Sequence, residues 1–146
     1  MKKMVLSVAA LVLLSCVTAF ASGKEEAVTL VKKAVAHVKA AGKEKALSDL
    51  NAKGSFVKGE LYVFAYDLNG VIIAHPMNPK LVGKNMTEFK DADGKYFTKE
   101  FLATAKGPGK GWIDYRWTNP VSKKIEAKST YIELVGDMFL GCGIYK

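Results

Sequence analysis

Six consecutive residues, Leu61-Tyr62-Val63-Phe64-Ala65-Tyr66, are all apolar or aromatic, and they lie between Glu60 and Asp67. A run this rich in aromatic and β-branched residues predicts a strand. Alternate side chains of a strand face opposite ways, so Tyr62, Phe64 and Tyr66 share one face and Leu61, Val63 and Ala65 the other. Neither face can be left in water, so the strand must be covered on both sides. The rest of the chain has to supply a layer for each face.

One layer is visible upstream. From Lys24 to Ala41 the residues Val28, Val31, Val35 and Val38 recur at spacings of three and four, with lysines and glutamates between them. Valine is a poor helix former, so this helix needs packing against something else to hold it. Gly42 interrupts it, and Ala46, Leu47 and Leu50 continue a second short helix to about Ala52. Downstream, Asp67-Leu68-Asn69-Gly70 turns the strand back into Val71–Ala74 as a hairpin. His75-Pro76-Met77-Asn78-Pro79 excludes regular structure, because each proline removes a donor and restrains its predecessor.

After this excursion Thr98 is placed to cap a helix to about Lys106, with Phe97, Phe101, Leu102 and Ala105 inward and Gly107 as its stop. Three strands follow, at 111–118, about 124–134 and 138–145, separated by Asn119-Pro120 and Gly136-Asp137. In the first, Ile113, Tyr115 and Trp117 alternate with Trp112, Asp114 and Arg116. Helices at one end and strands in antiparallel runs predict an α+β domain with one sheet and a PAS-like outline.

The first residues read as an address rather than as fold. Lys2 and Lys3 precede an uncharged run, and Ala19-Phe20-Ala21 offers the small-x-small pattern of signal cleavage, so residues 1–21 are expected to be a signal peptide and 22–146 a single domain. Two alternatives stay open: lipidation at Cys16 in Leu13-Leu14-Ser15-Cys16, and retention of residues 4–21 as a membrane anchor. Each places the domain outside the cytoplasm, in the periplasm of a bacterial cell.

Without Lys2 and Lys3 the net charge falls from +8 to +6, with 20 basic residues against 14 acidic ones. All of those cations but Arg116 are lysines spread along the chain, so nucleic acid is not the expected partner and solvation is their expected role. Once the signal is gone, Cys142 has no partner within the chain and is expected as a small buried hydrophobe. The mature chain has two histidines and no Gly-x-Ser-x-Gly, His-Glu-x-x-His or phosphate-loop motif. Asp91-x-Asp93-Gly94 lacks the glutamate that a calcium loop requires. No enzyme, no metal and no cofactor is expected.

The motifs Tyr62-x-Phe64-x-x-Asp67-x-x-Gly70, His75-Pro76, Leu81-x-Gly83-x-Asn85, Asp93-Gly94, Gly111-x-x-x-Tyr115-x-Trp117, Lys128-x-x-Tyr131 and Gly141-x-Gly143-x-Tyr145 follow one another in this order. With them, the chain from Lys24 to Lys146 resembles the single Cache domains of type 2, extracytoplasmic sensor modules of bacterial chemoreceptors and sensor kinases. The resemblance implies a PAS-like antiparallel sheet of about five strands, with a long N-terminal helix on one face and a small-ligand pocket on the other. It implies a small organic acid as ligand, of the acetate, propionate, pyruvate or lactate type. Such receptors continue into a membrane helix, and the sequence stops at Lys146. A stand-alone periplasmic form is therefore expected, with a separate membrane receptor or kinase as partner and pairing of two copies through the N-terminal helix.

The residues allow such a pocket on their own chemistry. A small carboxylate needs a cation, a few neutral donors and an apolar wall. Tyr62 and Phe64 on one strand and Tyr115 and Trp117 on another would form an aromatic cup. Lys128, on the strand next to Tyr115, would neutralise the charge, His75 would add a donor, and Met77 and Leu81 would close the cup. Lys128 and Tyr131 are three apart and fall on opposite faces of a regular strand, so both line the pocket only if a bulge intervenes. The alternative is an envelope protein without a ligand, in which the same aromatics are core and the basic surface docks a partner.

Overall fold

The protein, seen in a computed structural model, is described for residues 14–146, with side chains from Gly23 onward. Helix α1 spans Leu14–Ala41 and α2 spans Lys43–Asn51, hinged at Gly42, whose φ of 87° favours glycine. The expected break between the helices is there. The helical backbone, however, begins well before Lys24. Most of the expected signal segment lies outside the described residues, and its boundary after Ala21 falls within α1.

The six-residue apolar run forms two short strands, β2 (Leu61–Tyr62) and β3 (Phe64–Asp67). They part at Val63, whose amide donates to the carbonyl of Phe56 at 3.0 Å. β2 pairs with β1 (Val57–Lys58) in a small ribbon, while β3 joins the main sheet beside β4 (Ile72–Ala74), β5 (Lys110–Thr118), β6 (Ile125–Val135) and β7 (Met138–Tyr145). The main sheet is five-stranded in the order β4-β3-β7-β6-β5, and every pairing within it is antiparallel. It is the α+β, PAS-like arrangement expected from the helices at one end of the sequence and the antiparallel strand runs that follow. The hairpin turn is held by Asp67, whose Oδ1 accepts from the amides of Asn69 and Val71 at 2.9 Å each.

Each face of the sheet has its own core. α1 lays Ala27, Val31, Ala34 and Val35 on Val63, Ala65, Leu140, Cys142 and Ile144. Helix α3 (Phe97–Lys106) covers the opposite face, where Tyr62, Phe64, Tyr66, Tyr115 and Phe139 meet Phe97 and Phe101. The alternation along β2 and β3 is thus obeyed. Cys142 is buried on the α1 face, and burial pushes its thiol up to about 12, an inert small hydrophobe.

Thr98 does not cap α3. The N-cap is Tyr96, no side chain caps the helix, and Thr98 is fully buried one residue inside it. The β-branched side chain packs against Gly70 of the hairpin turn, where a Cβ would stand 3.4 Å from its methyl. Packing overrode the local capping preference. The loop before α3 is pinned by Asp91, whose Oδ1 accepts from the amides of Asp93 and Lys95 and whose Oδ2 accepts from that of Arg116 at 2.9 Å. Among the described residues no His, Cys, Asp and Glu side chains group so as to hold a metal.

Candidate functional site

Lys128 is the most unusual residue of the sheet. It stands on β6 with Tyr115 of β5 and Tyr145 of β7 as its register partners, and it is 1% exposed. Its Nζ donates to the hydroxyl of Tyr62 at 2.9 Å and lies over the rings of Tyr62, Tyr145 and Phe64, at 4.3, 5.0 and 5.6 Å from their centroids. No carboxylate among the described residues bonds to it. Burial drives its pKa from 10.5 down to about 7. Three ring faces return part of what water would have supplied. They do not supply a negative charge.

Two glycines on β7 make this burial possible. A Cβ at Gly143 would sit 2.5 Å from Lys128 Cε and 2.2 Å from Thr130 Oγ1, and one at Gly141 would sit 2.5 Å from Phe64 Cζ. The bare backbone lets the lysine stem and the phenylalanine ring lie close to the strand. Thr130 meets the hydroxyl of Tyr115 at 3.0 Å, so this second phenol is also bonded.

His75 closes the group. It is buried, with its ring centroid 5.1 Å from that of Tyr62, 6.3 Å from that of Phe64 and 6.4 Å from that of Trp117. Burial first, and the nearby Lys128 second, lower its pKa to about 3, so the ring is neutral. Its Nδ1 accepts from the amide of Asn78 at 3.0 Å, which puts the proton on Nε2. That N–H has no partner among the described residues.

Two spaces adjoin these residues. An inner void of about 10 Å³, room for about one water, is lined by Tyr62, Phe64, Tyr66, His75, Phe97, Tyr115 and Trp117. An outer cavity of about 540 Å³ shares Tyr62, His75 and Trp117 with it and adds Met77 and Leu81. Lys128 is a wall of neither, but the phenol it holds, Tyr62, is a wall of both. The fold therefore brings Tyr62, Phe64, His75, Met77, Leu81, Tyr115 and Trp117 to two adjoining spaces that share a wall, with Lys128 directly behind them.

Tyr131 is the exception. No bulge turns it toward the pocket, because β6 pairs with β5 and β7 in unbroken register from Lys128 through Tyr131. Tyr131 stands on the α1 face, with its hydroxyl donating to Glu133 at 2.6 Å. Arg116 faces away from Lys128, as alternation requires, and its Nε binds Asp93 at 2.8 Å. Sequence reasoning missed Tyr145, which forms one wall of the lysine's ring cage although it belongs to the closing Gly-x-Gly-x-Tyr motif. It also missed most of the outer cavity's rim, including Lys53, Asn78, Phe89 and Lys123. Phe89 carried a faint signal, being a lone aromatic between Glu88 and Lys90.

The Cache domain model dCache_2 matches residues 21–146. The methyl-accepting chemotaxis protein McpP of Pseudomonas putida is 34% identical over 86 residues, which are 58% of this chain but only 16% of that protein. A Cache chemosensory domain solved for the structural basis of carboxylic acid recognition superimposes with a TM-score of 0.73 at 29% identity, over 88% of this chain and 96% of that one. A methyl-accepting chemotaxis protein of Vibrio parahaemolyticus gives 0.75 at 27% identity, over 88% and 91%. A periplasmic sensor domain of a chemotaxis protein gives 0.69 at 27%, over 91% and 97%. With a family match across its whole sheet and both covering layers, the chain belongs to the Cache domain family.

Proposed function

We propose that this domain binds a small organic acid, of the acetate, propionate, pyruvate or lactate type, outside the cytoplasm and that its occupancy is signalled across the membrane. The observation that carries this reading is the buried, carboxylate-free ammonium of Lys128 behind a wall of aromatic rings. A buried cation without a counter-charge is costly, and an incoming carboxylate removes the cost. The neutral His75 adds a free N–H and Tyr62 a hydroxyl, the donors that a carboxylate oxygen needs. The solved carboxylic acid-recognising Cache domain and the chemotaxis proteins among its relatives support the ligand class and the signalling role.

The inner void is too small for even a two-carbon acid, so entry requires the wall shared with the outer cavity to move. His75, Tyr62 and Trp117 form that wall, and their displacement is what would connect occupancy to the shape of the domain. Isothermal titration calorimetry with formate, acetate, propionate, lactate and pyruvate, together with the corresponding alcohols, tests the reading. Saturable binding of acids alone supports it, and flat titrations across the panel sink it.

A further inference from the structure

The outer cavity does not match the proposed ligand. At about 540 Å³ it falls within the range of sites for compounds far larger than a two- to four-carbon acid. Its charged lining consists of Lys53, Lys90, Arg116 and Lys123 against the single carboxylate of Asp91. Asp91 is already engaged by three backbone amides, and Arg116 is engaged by Asp93. Lys90 lies over the ring of Tyr96, at 5.0 Å. The ammonium groups of Lys53 and Lys123 have neither an ion pair nor a hydrogen bond among the described residues.

Those two lysines share a second property. Among the described residues they are the only non-glycine positions in the left-handed region, with φ of 53° and 64°. Lys53 follows the C-cap of α2, where glycine is the usual residue, and Lys123 lies in the β5–β6 turn. Each conformation costs roughly 1 kcal/mol that glycine would avoid. The amide of Lys123 donates to the carbonyl of Asn119 at 2.9 Å, but glycine would keep that bond, and neither lysine side chain offsets the cost through a polar contact among the described residues. Between them the rim is apolar: Phe89 is 46% exposed and Ile125 58% exposed, and the rings of Phe89 and Trp117 meet edge to face at 6.1 Å.

We infer that the outer cavity is a second binding site, for an aromatic carboxylate whose ring lies against Phe89, Trp117 and Ile125 and whose charge is met by Lys53 and Lys123. Unpartnered cations beside exposed rings are the two halves that an amphipathic anion fits. The site borders the small-acid pocket through Trp117, which lines both spaces, but draws its charges from Lys53 and Lys123 rather than from Lys128.

Glycine at 53 and 123 removes both charges and relieves both backbones, so the double variant Lys53→Gly/Lys123→Gly should fold at least as stably as wild type. The probe is 3-phenylpropanoate, with 3-phenylpropan-1-ol as its uncharged counterpart, measured by calorimetry. Wild type should bind the acid and not the alcohol. The double variant should bind it at least about tenfold more weakly, the value of one charge-assisted hydrogen bond discounted for solvent. Phe89→Ser should weaken it as well, and Lys128→Met should leave it within about twofold. Absent binding in wild type, or equal binding in the double variant, overturns the inference. So does competition with acetate coupled to loss in Lys128→Met, which would place the probe in the inner pocket. Acetate binding without 3-phenylpropanoate binding refutes this site alone, and the converse refutes the small-acid reading alone.

Discussion

Replacing Lys128 with methionine should make the empty domain more stable and abolish its response to small acids. Methionine keeps the unbranched stem and the ring contacts but removes the charge. For the wild type, the fall in pKa from 10.5 to about 7, at about 1.4 kcal/mol per pH unit, sets an upper bound of about 5 kcal/mol on the cost of the charged form. The hydroxyl of Tyr62, left without its donor, subtracts roughly 1–2 kcal/mol from the gain. A net stabilisation of about 3 kcal/mol at pH 6.5 is expected. The sign with pH follows from proton counting: between about pH 7 and 10.5 the unfolded lysine holds a proton that the folded one has lost, so wild-type stability rises with pH. Below about 7 both are protonated and the cost is complete. The gap between variant and wild type should therefore shrink by about 3 kcal/mol between pH 6.5 and 9.5. Urea denaturation of both proteins over this range measures it, and groups common to the two cancel in the difference. A variant no more stable than wild type at pH 6.5, or a gap indifferent to pH, would refute the argument.

Gly143→Ala forces a methyl into Thr130 Oγ1 and Lys128 Cε, at 2.2 and 2.5 Å. It should cost about 1–3 kcal/mol by urea denaturation and weaken acid binding with it. Tyr131→Phe removes only the hydrogen bond to Glu133 on the α1 face. It should cost up to about 1 kcal/mol while acid affinity stays within about twofold, and calorimetry showing a large loss would put the ligand on the wrong side of the sheet. His75, with its pKa lowered to about 3, should keep a neutral ring in NMR titrations from pH 8 to 5. Because the unfolded histidine takes up a proton first, it should draw stability down as the pH falls from about 6.5 towards 3.

The parts of this fold that were legible in the sequence are those in which burial repeats at a fixed period. The apolar run 61–66 announced two covered faces, the valines of α1 announced one of the covers, and turn residues bounded the closing meander. Local rules failed where a distant partner decided. Thr98 would be a cap by its neighbours alone, but the hairpin turn at Gly70 claims its side chain. The strand breaks at Val63 because Phe56 offers it a carbonyl. The cup was legible because its members alternate on strands. The depth of Lys128 was not, since it depends on Tyr62, 66 residues away, and on two missing Cβ atoms across β7. The outer cavity was hidden for a related reason: its walls come from separate loops and strand ends far apart in sequence, and its left-handed turns carry lysine rather than glycine.

The magnitudes also say which part of the site would do the selecting. A two-carbon acid has so few atoms that its binding free energy is capped at about 6 kcal/mol, by the ceiling of about 1.5 kcal/mol per non-hydrogen atom. That corresponds to a dissociation constant of tens of micromolar at best, on the scale of roughly 1.4 kcal/mol per tenfold. The cost of the buried ammonium, up to about 5 kcal/mol, is nearly as large as that ceiling. Neutralising Lys128 would therefore carry most of the affinity, and ring contacts little of it. Chain length should then matter weakly, at no more than about 0.8 kcal/mol for each added methylene that the pocket can bury. Replacing the carboxylate by a hydroxymethyl group should remove binding altogether. A series from acetate to butyrate, titrated beside ethanol to butanol, separates the two contributions. Alcohols that bind within about tenfold of their acids would mean that the rings, and not the lysine, hold the ligand.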